Sequence, residues 1–155
     1  NRVNLGHELI QNHRLREAAE VLKDAIKVNP KEKAAYVNRA LSLARLGRYG
    51  EAESTCRTLL KMYPDFPDGH HQLAAILFNQ GRHNDALPFS RKAVELAPDR
   101  ADYRYNLATA LWSLGQPSEA EAVLTPLLSG KTPDQKARAL LNRFRVSPVP
   151  ARAPR

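Results

Sequence analysis

Apolar residues recur along this chain at helical spacing, in blocks separated by short polar breaks. In KAAYVNRALSLARLGRYGEAESTCRTLLKMYPDF, Lys33 to Phe66, two such blocks flank Gly47, and a proline lies near the end of the second. The following stretch, PDGHHQLAAILFNQGRHNDALPFSRKAVELAPDR, repeats the plan around Gly81 over another 34 residues. The pattern predicts helices near 1–12, 16–28, 34–46, 50–62, 68–80, 84–96 and 101–114, and an eighth starting at Pro117. Prolines at 30, 64 and 98 end the second helix of each pair, because proline disfavours helical geometry in the residue before it.

The frame extends in both directions. Gly47, Gly81 and Gly115 form one column, with His13 in the equivalent upstream place. Ala18, Ala52, Ala86 and Ala120 form a second, and Leu9, Leu43, Leu77 and Leu111 a third. Small residues recur at Gly6, Ala40, Ala74 and Ala108. Agreement of several independent columns establishes an internal repeat of 34 residues.

This length, with small residues where paired helices cross and large apolar residues around them, resembles the tetratricopeptide repeat (TPR) family. The resemblance covers about residues 1–130. It implies an all-α fold, a right-handed superhelical solenoid of antiparallel helix pairs. The repeats run 1–32, 33–66, 67–100 and 101–130, the first truncated at its start. By the frame Asn1 already lies within a helix without an N-terminal cap, which predicts an excerpt of a longer protein. Pro126 should kink the last repeat helix or end it early. Pro88 should cause a slight local distortion. TPDQKARALLNRFRV then predicts a capping helix at about 133–145, within a segment 131–145, with Thr132 or Asp134 as its cap. Residues 146–155, rich in proline and arginine, read as a disordered tail.

The resemblance also implies a concave face lined by the first helix of each pair. Its candidates are Val3, His7, Ile10 and Gln11 in the first repeat, and Val37, Leu41, Ala44 and Arg45 in the second. Asp68, His71, Ala75, Phe78 and Asn79 follow, then Asp102, Tyr105, Thr109, Trp112 and Ser113. One column on these helices carries a carboxamide in every repeat: Asn4, Asn38, Gln72 and Asn106. An amide offers donors and an acceptor together, so it can hold the N–H and C=O of an extended peptide whatever its sequence. This resembles the asparagine ladder of O-linked N-acetylglucosamine transferases. The alternative is that these amides bridge neighbouring helices. Tyr105 and Trp112 are candidate aromatic anchors, although Trp112 also has Leu140 and Phe144 of the capping helix as packing partners.

Another family mode is disfavoured. Chaperone-binding repeats clamp a C-terminal carboxylate with Lys, Asn and Arg on successive first helices. The matching places here carry Val3 and His7, Asn38, then Asp68 and Gln72, which lack the cations. Arg39 is the odd residue in a column otherwise filled by Leu5, Leu73 and Leu107, and is read as lying along apolar surface with its charge outward.

Composition narrows the function classes. Of the net charge of +8, residues 131–155 hold seven cations against Asp134, while residues 1–130 are nearly balanced. Phosphate binding needs a basic face, so no nucleic acid is expected on the repeats. The single cysteine, Cys56, excludes an internal disulfide and sits at a packing position. His70 and His71 are adjacent and point apart on a helix, so neither they nor the scattered His7, His13 and His83 make a metal site. No nucleophile–base pair or phosphate loop stands out. The chain reads as a non-enzymatic scaffold with no cofactor, no membrane span and a protein or peptide partner. Its compartment is left open, the cytoplasm being favoured. Two alternatives remain. One is a substrate-recruiting region of a larger enzyme, such as a bacterial sulfotransferase or a glycosyltransferase. The other is self-assembly into homo-oligomers through packing surface at the repeat ends, including Leu5, Leu9 and Val21.

Overall fold

The computed structural model describes residues 1–129 and 131–147. Gly130 and most of the predicted tail, residues 148–155, lie outside the described residues. Four helix pairs follow one another: α1 (Arg2–Gln11) with α2 (Leu15–Val28), and α3 (Lys33–Arg45) with α4 (Tyr49–Met62). Next come α5 (Pro67–Asn79) with α6 (His83–Leu96), and α7 (Ala101–Ser113) with α8 (Pro117–Leu124). A last helix, α9 (Gln135–Val146), packs on both α7 and α8. Among the described residues there is no strand. The fold is an all-α solenoid capped at its C-terminal end.

The turn inside each pair shows why the glycine column exists. The N–H of Arg14, Arg48, Arg82 and Gln116 bonds back to the carbonyl of Leu9, Leu43, Leu77 and Leu111, at 2.8–3.0 Å. This closure needs a residue in the left-handed region just after the helix. Gly47, Gly81 and Gly115 supply it with φ of 71–75°, and His13 adopts φ of 58° in the same role. The proline column has a second use. Tyr36 Oη donates to the Pro30 carbonyl at 3.0 Å, and Arg104 Nε to the Pro98 carbonyl at 2.9 Å. His70 Nε2 lies 2.6 Å from the Pro64 carbonyl. Three unlike side chains at one repeat position thus tie each loop to the following helix.

The helix ends and internal prolines bear on the expected caps and breaks. Asn1 is itself a cap, its side chain accepting from the Val3 N–H at 2.8 Å, so α1 does not start uncapped. α6 runs unbroken through the exposed Pro88, whose missing N–H falls on the solvent side. α8 stops at Leu124 and continues as a single 3-10 turn, Thr125–Leu127, around Pro126. Asp134, not Thr132, caps α9, accepting from the Ala137 N–H at 2.8 Å.

Three apolar clusters run along the stack. Leu9, Ile10, Leu22 and Ala35 form the first, and Leu43, Cys56, Leu73 and Leu77 belong to the second. Leu107, Leu111, Leu124, Leu141 and Phe144 belong to the third. Of the predicted exposed repeat end, only Leu5 is strongly exposed, at 46%, while Leu9 is buried beneath α2 and Val21 is half-buried. Cys56 is fully buried, and loss of hydration pushes its thiol up to about 12.

Candidate functional site

Successive first helices touch one another: α1 with α3, α3 with α5, α5 with α7. They form a continuous face on which the carboxamide column repeats. Asn4 and His7 lie exposed on α1, the His7 ring 3.4 Å from the Gln11 side chain. Asn38 and Leu41 are half-buried on α3, with Arg45 exposed one turn on. Ile10, which the frame also put on this face, is instead buried in the first cluster.

The amides do not bridge helices as a set. Among the described residues, the side chains of Asn4, Asn38 and Gln72 make no hydrogen bond to another protein group. Asn106 alone has a neighbour, its Nδ2 lying 3.4 Å from His71 Nε2. Asn38 and Gln72 are half-buried and Asn4 is exposed, so their amides face solvent with donors and acceptors open to a ligand.

α5 and α7 bring Phe78, Asn79 and Asn106 together around a pocket of about 180 Å³. Ala74, Ala75, Thr109 and Ala110 of the same two helices and Ser90 of α6 complete its lining. Phe78 is fixed by stacking on His83, centroids 4.3 Å apart. Beside the pocket, His71 stacks on Tyr103 at 4.5 Å. Tyr103 donates to Asp68, and Arg100 joins Asp102 at 2.9 Å and Asp68 at 3.5 Å. Burial is the main reason the His71 imidazole titrates below its ordinary value, with Asp102 and Asp68 opposing it. At neutral pH the ring is therefore uncharged and able to accept from Asn106. Asp68 and Asp102, candidates by position, are committed to Arg100 and Tyr103, two residues the sequence did not single out. Tyr103 lies one turn before Leu107 and reads as core by spacing; only its hydroxyl partner reveals the network.

The two aromatic candidates on α7 have partners in the capping helix. Tyr105 Oη donates to Asp134 at 2.5 Å, and Lys136 sits 4.6 Å over its ring. Burial, then this hydrogen bond, push the phenol up to about 12, so it remains a donor. Trp112 lies almost parallel to Phe144, centroids 4.6 Å apart. Both side chains thus anchor α9. Among the described residues no cluster of three or more metal-ligating side chains occurs, and no helix is long and apolar enough to cross a membrane.

Comparison with known proteins bears on the family. Two tetratricopeptide repeat profiles match, over residues 3–67 and 77–144. A search of curated protein sequences returned no significant match. Among solved structures, TTC0263, a thermophilic TPR protein of Thermus thermophilus, is 22% identical with a TM-score of 0.78, over 94% of this chain and 80% of that one. YrrB, described as a TPR protein with an unusual peptide-binding site, is 19% identical with a TM-score of 0.70, over 92% and 74%. The O-GlcNAc transferase of Thermobaculum terrenum is 20% identical with a TM-score of 0.73, over 81% of this chain but 24% of that enzyme. These likenesses concern the fold. With matches over both halves of the chain and the 34-residue columns in register, the chain belongs to the tetratricopeptide repeat family.

Proposed function

We propose that this TPR scaffold binds an extended peptide along the face built by α1, α3, α5 and α7, with Asn4, Asn38, Gln72 and Asn106 contacting the peptide backbone. One observation carries the reading: the side chains of Asn4, Asn38 and Gln72 stand without a hydrogen-bond partner among the described residues, at one repeated position. Packed helices lie about 8–10 Å apart and an extended chain rises about 3.3 Å per residue, so one amide meets roughly every third peptide residue. Selectivity then falls to the pocket of Phe78, Asn79 and Asn106, with His71, Leu41, Arg45 and His7 along the same face. The description of YrrB as peptide-binding agrees with this reading. Tyr105 and Trp112, committed to α9, contribute by fixing the end of the face.

The test is selection of unrelated peptides from a display library on the parent chain, followed by affinity measurement on Asn38→Ala/Gln72→Ala/Asn106→Ala. A net hydrogen bond contributes about 1 kcal/mol, so three lost bonds weaken every peptide by about 100-fold or more. Circular dichroism confirms that the variant is folded. Equal affinity for the selected peptides would remove the amides from the mechanism.

A further inference from the structure

One column of the repeat changes character beside the inner face. Leu22, Cys56, Ser90 and Leu124 stand 34 residues apart on the second helices. Leu22, Cys56 and Leu124 are fully buried core residues. In the first repeat Leu22 lies so close over Gly6 that an added Cβ would meet it at 2.5 Å. The third repeat puts Ala74 and Ser90 at those two places, and both border the pocket of about 180 Å³. A serine is shorter than the leucine it replaces in the column, which accounts for the opening.

Ser90 also brings a hydroxyl to a core position, the residue being 6% exposed. Ser42, Thr55 and Thr109 each donate to the carbonyl four residues back, at 2.8 Å, whereas the Ser90 hydroxyl makes no hydrogen bond among the described residues. Nor is it sealed off. Among the described residues, the buried side-chain atoms without a partner are Arg39 Nε, His70 Nδ1 and Gln116 Oε1. Ser90 Oγ therefore keeps access to the pocket it lines, with a donor and an acceptor unused. Buried polar groups are normally paired, so an open one in a pocket points to a partner that arrives with a ligand.

The rest of the lining selects that ligand. No charged side chain is among the described residues of the pocket. A carboxylate or an ammonium would find no counter-charge there, and burying one unpaired is unfavourable. Thr109 gives its proton to the Tyr105 carbonyl, so it can only accept from a ligand. Ala74, Ala75, Ala110 and the Phe78 ring are apolar. A water-sized group takes about 30 Å³, so the pocket holds roughly six. A glutamine side chain fits that volume. Its methylenes suit the alanines and Phe78, and its carboxamide both accepts from Ser90 and donates to Thr109.

We propose that this pocket receives one glutamine side chain of the bound peptide, with Ser90 as the residue that reads its carboxamide. The inference rests on the inner-face peptide reading.

Random peptides displayed on phage are selected on the 155-residue chain, and affinities are measured for the recovered sequences. They should share a glutamine at one position. Replacing it by leucine or glutamate should weaken binding to the parent about tenfold. Ser90→Ala should reverse the preference to leucine, because the hydroxyl is gone and the space remains. Ser90→Leu restores the residue of the first and fourth repeats, so it should fold; circular dichroism checks this. By filling the pocket it should weaken the glutamine peptides about tenfold or more. A shared apolar residue in place of glutamine, or equal affinity for Ser90→Leu, would overturn the pocket assignment while Asn38→Ala/Gln72→Ala still weakens every peptide. Recovery of no peptide, or of peptides indifferent to both sets of variants, would overturn the inner-face reading and this inference with it.

Discussion

At the scale of single residues, the columns differ in how much freedom each position has. Gly6 stands where later repeats have alanine, and a Cβ added there would meet the Leu22 side chain at 2.5 Å. Leu22 is fully buried and has no room to retreat. Gly6→Ala should therefore destabilise the first repeat by about 1–3 kcal/mol, the usual cost of overpacking. His13 is the reverse case. It holds φ of 58° where its counterparts are glycine, and its side chain is exposed. His13→Gly should stabilise by about 0.5–1 kcal/mol through relief of left-handed strain, offset by the greater freedom of glycine when unfolded. Urea denaturation of both variants beside the parent checks the opposite signs. Cys56 needs no variant: a buried thiol pushed up to about 12 should react with a thiol reagent only as fast as the array opens.

Among the elements, α9 departs most from the repeat plan and holds the end of the stack in place. Its apolar face, Ala137, Leu141 and Phe144, covers the third cluster, and Phe144 is 1% exposed. Phe144→Ala should cost about 3–5 kcal/mol. In an array built of nearest-neighbour contacts that loss falls on the terminal unit first. Trp112 reports it directly, since losing the stacked ring exposes the indole: its fluorescence should shift to the red in Phe144→Ala at urea concentrations where the parent is unchanged. This element also marks where reading the sequence stopped. Helix positions, the glycine turns and the shared face of the amides follow from local periodicity and a 34-residue step, so they were legible. The packing of Trp112 on Phe144 was among the readings the sequence offered, whereas the fate of Tyr105 was not legible, because it depends on Asp134, 29 residues away. The tether of Tyr36, His70 and Arg104 to three proline carbonyls escaped for another reason. Their side chains differ so much that the column shows no common residue type.

Across the whole molecule, the second and third apolar clusters are joined on the inner side by a polar seam. Asp68 and His71 of α5 meet Arg100, Tyr103 and Asn106 around α7. A solenoid unfolds as one unit only while such interfaces outweigh the differences between repeats, so this seam adds to the α6–α7 packing that joins the C-terminal pair to the rest. His71 makes the seam sensitive to acid. Its folded titration point lies below the ordinary histidine value, chiefly because it is buried against Tyr103. The unfolded chain therefore takes up the proton first as pH falls. The contribution of His71 is complete above about pH 6.5 and is lost as the pH falls from there towards the depressed folded value. Protonation also removes the Nε2 lone pair that faces Asn106 at 3.4 Å. Asp68 and Asp102 stand close enough to favour the imidazolium, so they limit the effect, whereas Arg100 reinforces it. Thermal melts between pH 7.5 and 5.5 should show a falling midpoint in the parent and a flatter profile in His71→Gln, which does not titrate. The parent transition should also broaden at the acid end, as α7 to α9 melt ahead of α1 to α6. An unchanged slope in His71→Gln would assign the pH dependence to other groups and leave the seam without a role in it.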